Sequence, residues 1–231
     1  MPIDLKFPKI KKISTSFDEK LLADILNIPN VYFPNGHFEY PVSLNNEKVG
    51  NHLNSLFLFE PIAKQAQALD WITKDIELFC TNQNLNFNLI FAPNQASVVH
   101  LVKKLAKSLN VDYALLEYLP TGWFGDNIVY GSIKPGDKVL VLNGVSQQGR
   151  CVGLRLPSIV KNFKASVEAA SVFATGNGAG VKEAIHSFGP KLYRTLELEL
   201  ESFTPANCPI CQADKNSQPV PWTNYRDLVI N

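Results

Sequence analysis

Between residues 87 and 173, short apolar runs alternate with stretches whose apolar residues recur every three or four positions. Phe87, Leu89, Ile90 and Phe91 make the first run and predict a strand, after which Val98, Val99, Val102, Leu105 and Ala106 fall on one face of a helix over 96–109. Further strands are predicted at 113–116, 139–142 and 169–173, with a helix over 149–163 between the last two. Strands separated by helices build parallel βαβ units, so the chain reads as an α/β protein with a central, mostly parallel sheet flanked by helices and ligands at the carboxyl ends of the strands. Upstream, Leu21, Leu22, Ile25 and Leu26 predict an amphipathic helix that Pro29, Pro34 and Gly36 terminate. Residues 37–59 are strand-like, with turns expected at Asn45-Asn46 and Gly50-Asn51, and a helix is expected from Pro61 to about residue 79. No internal repeat or low-complexity tract is visible.

Composition narrows the class without naming a function. A chain of 231 residues, 45% apolar and 19% charged, can bury one sizeable core. Its 22 Lys and Arg nearly balance 21 Asp and Glu, so no strong field favours nucleic acid or an anionic membrane. The opening Met1-Pro2-Ile3-Asp4-Leu5-Lys6 has no apolar leader and no run is long enough to cross a bilayer, which predicts a cytoplasmic protein. Four Cys are too few for a disulfide framework, and Cys80 and Cys151 sit in helix-like apolar surroundings that suit core packing.

The candidate chemistry lies at 138–149. Lys138 is followed by the apolar run Val139-Leu140-Val141-Leu142, then by Asn143, Gly144, Val145, Ser146, Gln147, Gln148 and Gly149, and then by the apolar helix pattern Val152, Leu154, Leu156, Ile159, Val160. Strand, short polar loop and helix form the order of a phosphate cradle, in which free N–H groups at the helix start face an anion. The segment resembles the phosphoribosyl-diphosphate binding motif of the type I phosphoribosyltransferases, which runs hydrophobic strand, two acidic residues, a small loop with two Thr, then Gly. The likeness covers most of the chain and is greatest to the orotate enzymes: Asn35-Gly36-His37-Phe38 with Tyr40 resembles their N-terminal hood, 89–97 their pyrophosphate loop, Pro135-Gly136-Asp137-Lys138 the turn before the phosphoribosyl strand, and Cys208-Pro209-Ile210-Cys211 a tail found in one branch. It implies a single domain, with an N-terminal helix and hood over 1–60, an α/β core over 61–190 and a hood strand and tail over 191–231. It also implies a homodimer and, in an active member, magnesium with the diphosphate donor.

Where the family carries its acidic pair this chain has Asn143 and Gly144, and where it carries two Thr it has Gln147 and Gln148. In the family the acids hold the ribose hydroxyls of the donor, and Gly144 offers no side chain to do so. The family's mobile loop is rich in Lys and Arg, whereas residues 108–133 contain neither and hold Asp112, Glu117 and Asp126. The family's orotate-contacting Asp-Arg pair aligns near Ala174, Thr175 and Gly176, so the Arg that would clamp the orotate carboxylate is missing here.

Each candidate has a plainer reading beside the functional one. Val145, Ser146, Gln147, Gln148, Gly149 and Arg150 form either a surviving phosphate site or a polar loop that caps a helix. Asn94, Gln95, Ala96 and Ser97 form either a second anion nest or a helix cap supplied by Asn94 or Ser97. Thr175, Gly176 and Asn177 open a glycine-rich run that is either a base-facing loop or a mobile turn. Cys208 and Cys211 have zinc spacing, but a closed site needs four ligands, so Cys80, Cys151 or a partner chain would complete it; otherwise Pro209 simply holds a turn. The four His show no ligand spacing among themselves, and His37 reads as a structural hood residue. Trp123 and Phe124, and the run 219–225 with Trp222 and Tyr225, are aromatic anchors for this protein's own core or for a partner. Three functions remain open: a catalytically impaired nucleotide- or phosphate-binding regulator, an active divergent phosphoribosyltransferase whose charge comes from Lys103, Lys104 or Lys107 of a neighbour, and a ligand-free scaffold.

Overall fold

A computed structural model describes residues 10–13, 16–44, 47–176 and 178–230; the opening six residues, the turn at Asn45-Asn46 and Asn177 lie outside them. The chain starts with strand β1 (Ile10–Lys12) and helix α1 (Glu19–Leu26), capped by Asp18, whose carboxylate accepts the Leu21 N–H at 2.6 Å. Leu22, Ile25 and Leu26 of α1 are buried, as their spacing requires. Then come β2 (Tyr32–Phe33), β3 (Phe38–Leu44), β4 (Glu47–Leu53), β5 (Leu56–Phe57), α2 (Glu60–Ala63) and α3 (Ala66–Asn82). The alternating part runs β6 (Leu89–Pro93), α4 (Ala96–Leu109), β7 (Asp112–Tyr118), β8 (Phe124–Tyr130), β9 (Lys138–Ser146), a π-helical turn (Cys151–Arg155), α5 (Leu156–Asn162), β10 (Ser166–Thr175), α6 (Ala179–Phe188) and β11 (Leu192–Leu198). The tail adds β12 (Ser202–Phe203), α7 (Pro209–Ala213), β13 (Val220–Pro221) and α8 (Trp222–Ile230).

The main sheet has the order β1-β11-β10-β9-β6-β7-β8, with β11, β10, β9, β6 and β7 parallel and the edge strands β1 and β8 antiparallel to their neighbours. This is the mostly parallel, helix-flanked α/β sheet expected from the sequence. Alternation along β9 sends Leu140 and Leu142 into one apolar cluster with α1, α3 and α4, and Val139 and Val141 into another with α5. Burial on both faces is why β9 reads as a continuous apolar run. A second sheet, β12-β4-β3-β13, makes a hood from both ends of the chain, and its apolar side holds Phe38, Leu53, Leu56, Leu58 and Trp222. Among the described residues no helix is long and apolar enough to cross a membrane.

Four local expectations are corrected. Gly50-Asn51 is not a turn but part of β4, where Asn51 is buried and donates to Ser202. The helix expected from residue 61 is interrupted at Gln65, whose extended backbone separates the short, fully buried α2 from α3. The helix expected over 149–163 opens as a π-turn, with the Leu156 N–H bonded to the Cys151 carbonyl. Pro157 has no N–H for Gly153 and its ring would strike that carbonyl, so the preceding turn widens. Finally, β1 and β11, from stretches assigned to the hood, extend the core sheet instead.

Candidate functional site

A cavity of about 580 Å³ opens at the carboxyl ends of β6 and β9, the position expected for ligands in such a sheet. Its floor is the end of β9 with Asn143, Val145 and Ser146, followed by Gln147, Gln148 and Arg150. The roof comes from elsewhere: Tyr40 of the hood, Trp222 of the tail, and Trp123 and Phe124 at the turn between β7 and β8. Glu60, at the head of α2, stands inside with Gln95.

The cradle residues fill distinct roles. Asn143 lines the cavity but is 4% exposed; its amide donates to the Cys151 thiol at 3.1 Å and its oxygen accepts the Gly144 N–H at 2.8 Å. Gly144 faces the other way, and a Cβ there would lie 2.5 Å from the Phe59 ring. Gly149 takes φ +72°, and a Cβ on it would strike the Val181 backbone of α6. Gln148 donates to Ser202 at 2.8 Å and so ties the loop to the tail. The Gln147 side-chain oxygen and the indole N–H of Trp222 are both buried without a hydrogen-bond partner among the described residues, and both residues line the cavity. Burial holds the Cys151 thiol up at about 12, so it stays protonated and hydrogen-bonds rather than attacks.

At the pyrophosphate-loop position only Gln95 reaches the cavity. Neither Asn94 nor Ser97 caps α4: the cap position is Gln95, which makes no side-chain cap bond and donates to Glu60 instead, while Ser97 is buried with its hydroxyl unpartnered among the described residues. Thr175 and Gly176 do not line the cavity. Thr175 is buried against Leu196, and a Cβ on Gly176 would lie 1.8 Å from the Gln147 carbonyl, so this glycine lets the β10–α6 loop pack against the cradle's backbone. The tail, left open between self and partner by its sequence, docks on this chain: Tyr225 meets Phe33 and Phe38, with ring centroids 4.9 and 5.1 Å apart. Cys208 and Cys211 stand beside His37 and His52; Cys80 lies in α3 and Cys151 under the cradle, so neither joins them.

The chain is similar to the adenine phosphoribosyltransferase of Trypanosoma brucei in complex with AMP, pyrophosphate and ribose-5-phosphate, with a TM-score of 0.53 at 15% identity, covering 93% of this chain and 95% of that one. The adenine phosphoribosyltransferase of Thermoanaerobacter pseudethanolicus gives 0.52 at 14% identity over 77% and 99% of the two chains. The orotate phosphoribosyltransferase of Aeropyrum pernix gives 0.51 at 11% identity over 76% and 92%. This is the type I phosphoribosyltransferase fold. Neither a protein-family model nor a curated protein sequence matches the chain.

Residues 108–133 hold neither Lys nor Arg. That stretch forms β7 and β8, an antiparallel pair whose turn closes over the cavity. Arg155, from the π-turn, reaches across to it, pairing with Asp126 and donating to the Gly125 carbonyl at 3.1 Å. Arg150 and Arg155 therefore bring cations to the cavity wall from the helix after the cradle. Glu60, Arg155 and His52 were not singled out by the sequence; only the Glu-Pro helix start at Glu60 offered a signal.

Glu60 is 4% exposed, and burial is the main cause raising its carboxyl above the ordinary 4.5, opposed by hydrogen bonds and by Arg226. A raised folded-state value means that the fold favours the protonated acid, and that this contribution is lost as pH rises through it. Glu60→Gln is accordingly expected to stabilise the protein at neutral pH, with the gain closing below pH 4.5. Urea midpoints of both proteins across that range check this, and a gain independent of pH would refute it.

Proposed function

We propose that this chain binds a nucleoside monophosphate or a similar phosphate-bearing ligand through Ser146 to Arg150, and acts as a binding or regulatory protein rather than an efficient phosphoribosyltransferase. The carrying observation is the Phe59 ring packed against Gly144. A carboxylate at that position, which would hold the donor's ribose in an active member, has no room, and the neighbouring Asn143 engages both polar atoms inside the protein. The strand pair over the cavity carries Glu117 and Asp126, while Arg155 is engaged with Asp126. A leaving pyrophosphate gathers negative charge in the transition state and needs fixed cations there.

A monophosphate suits what remains. Backbone donors at the start of the helix survive the loss of side chains, and Arg150 adds a cation beside them. Tyr40, Trp123 and Trp222 give the opposite wall aromatic faces for a base.

Calorimetric titration tests this reading with phosphoribosyl diphosphate plus magnesium and, separately, with nucleoside monophosphates. Monophosphate binding near micromolar, about −8 kcal/mol, without donor binding is the expected result. Arg150→Ala should weaken it by about tenfold, some 1.4 kcal/mol. Tight donor binding followed by turnover with a free base would overturn the proposal.

A further inference from the structure

Four side chains that share no sequence motif converge where the tail meets the hood. His37 directly precedes β3 and His52 lies in β4, whose register sets Glu39 opposite His52. His37 is two residues before Glu39 and so on the same face, which makes the two imidazoles diagonal neighbours. Their Nε2 and Nδ1 atoms are 3.1 Å apart. Cys208 is the N-cap residue just before α7, and Cys211 follows within its first turn. The Cys208 Sγ is 3.4 Å from His37 Nε2, and the Cys211 Sγ is 3.5 Å from that atom and 3.3 Å from His52 Nδ1. All four ligand atoms lie within 4.8 Å of one another.

Those separations are the edges of a small tetrahedron. Nitrogen and sulfur ligands about 2.05 and 2.3 Å from a zinc ion stand about 3.3 Å apart for an N–N edge and about 3.6 Å for an N–S edge. Hydrogen bonding alone gives little reason for the convergence, since thiols are weak donors and each neutral imidazole has one N–H. His37 also has the partner that a metal-bound imidazole needs: its other nitrogen, Nδ1, is 3.1 Å from the Ser217 hydroxyl, which can accept an Nδ1–H when Nε2 offers its lone pair to a metal. Two imidazoles and two thiols, without a carboxylate, suit zinc rather than magnesium or calcium, and two thiolates balance its charge in a site where Cys208 and His52 are buried.

We propose that His37 Nε2, His52 Nδ1, Cys208 Sγ and Cys211 Sγ bind one structural zinc ion that staples the tail to the hood. Both cysteines lose their protons to solvent on binding, and no oxidation step is involved. The ion joins positions 171 residues apart and anchors the segment leading to β13 and α8, which brings Trp222 over the cavity. This assignment stands apart from the nucleotide reading, since none of the four ligands lines the cavity.

The test uses the full chain, purified without a metal-affinity step, with metal content measured by elemental mass spectrometry. One zinc per chain is expected, and exchange for cobalt should give the visible bands of a tetrahedral centre with a near-ultraviolet thiolate-to-cobalt band. The Cys208→Ser, Cys211→Ser double variant should lose both. Ser217→Ala, which leaves all four ligands in place, should hold zinc about ten- to hundredfold more weakly in competition with a chelating dye. Folded wild-type protein without zinc or the thiolate band, or zinc retained by the double variant, would overturn the site. If the double variant fails to fold, the wild-type cobalt spectrum and the Ser217→Ala affinity decide.

Discussion

Gly144→Asp, which places an acid at the end of β9, is expected to lower stability by about 3–5 kcal/mol and to gain no phosphoribosyl transfer. The first part of that cost is steric. The new Cβ would lie 2.5 Å from Phe59, itself 2% exposed and packed on Phe173 at a centroid distance of 5.7 Å, so a shift of the ring would disturb that packing. Overpacking of this kind costs about 1–3 kcal/mol, and a carboxylate pressed against the Phe59 ring adds its desolvation. Gly144→Ala separates the terms by adding the Cβ without the charge. Gly144→Asp should cost less in a Phe59→Ala background than in the wild type, a coupling that a double-mutant cycle in urea reads directly. A Gly144→Asp variant with an unchanged midpoint would mean that Phe59 does not occupy the position.

Trp222→Ala should release α8 from the hood. The indole is 4% exposed, packs on Tyr40 with centroids 5.3 Å apart, and lies under the Arg226 guanidinium at 5.4 Å. Arg226 in turn donates to the Pro120 carbonyl at 3.0 Å, so one helical turn of α8 links the hood to the β7–β8 turn. Truncating a buried tryptophan removes about 3–5 kcal/mol of packing, and here the loss falls on one short helix. Hydrogen exchange across 220–230 should therefore speed up while β9 and β10 keep their protection. Monophosphate affinity should fall by about tenfold or more, because one wall of the cavity goes with the indole. Trp222→Phe, which keeps an aromatic face, should restore much of both. Unchanged exchange at 220–230 would show that α8 docks without the indole.

Local periodicity carried the fold a long way. The helix expected over 96–109 is α4 at the same bounds, and the strands expected at 113–116, 139–142 and 169–173 are the central portions of β7, β9 and β10. These elements are decided by which residues face the core, and a spacing of two or of three to four records that. The order of strand, short loop and helix at the end of β9 was legible for the same reason. What was not legible depends on residues meeting across long separations. Nothing near Gly144 announces Phe59, and nothing near Cys208 announces His37 and His52, which reach it only because a hairpin sets them on one face. The glycine-rich run from Gly176 reads from sequence as either a base-facing loop or a mobile turn, and a backbone approach too close for any Cβ accounts for Gly176. Pro157 did carry its signal, and the widened turn before it follows from the missing N–H.

The hood's double origin also sets an order of assembly. Ser217 meets His37 180 residues away, β13 adds to β3, and β12 adds to β4, so strands laid down early wait for partners made last. At synthesis rates of about 5–20 residues per second, that wait is roughly 10–40 s. During it the β3–β4 hairpin has its lateral edges open and its apolar side lacks Trp222, while the parallel core beneath can already form. Exposed strand edges and apolar surface are what chaperones and neighbouring chains recognise. For this protein, vulnerability during biogenesis is concentrated in the hood, and a nascent chain stalled before β12 would have a nearly finished core beneath a cavity without its tail-built roof.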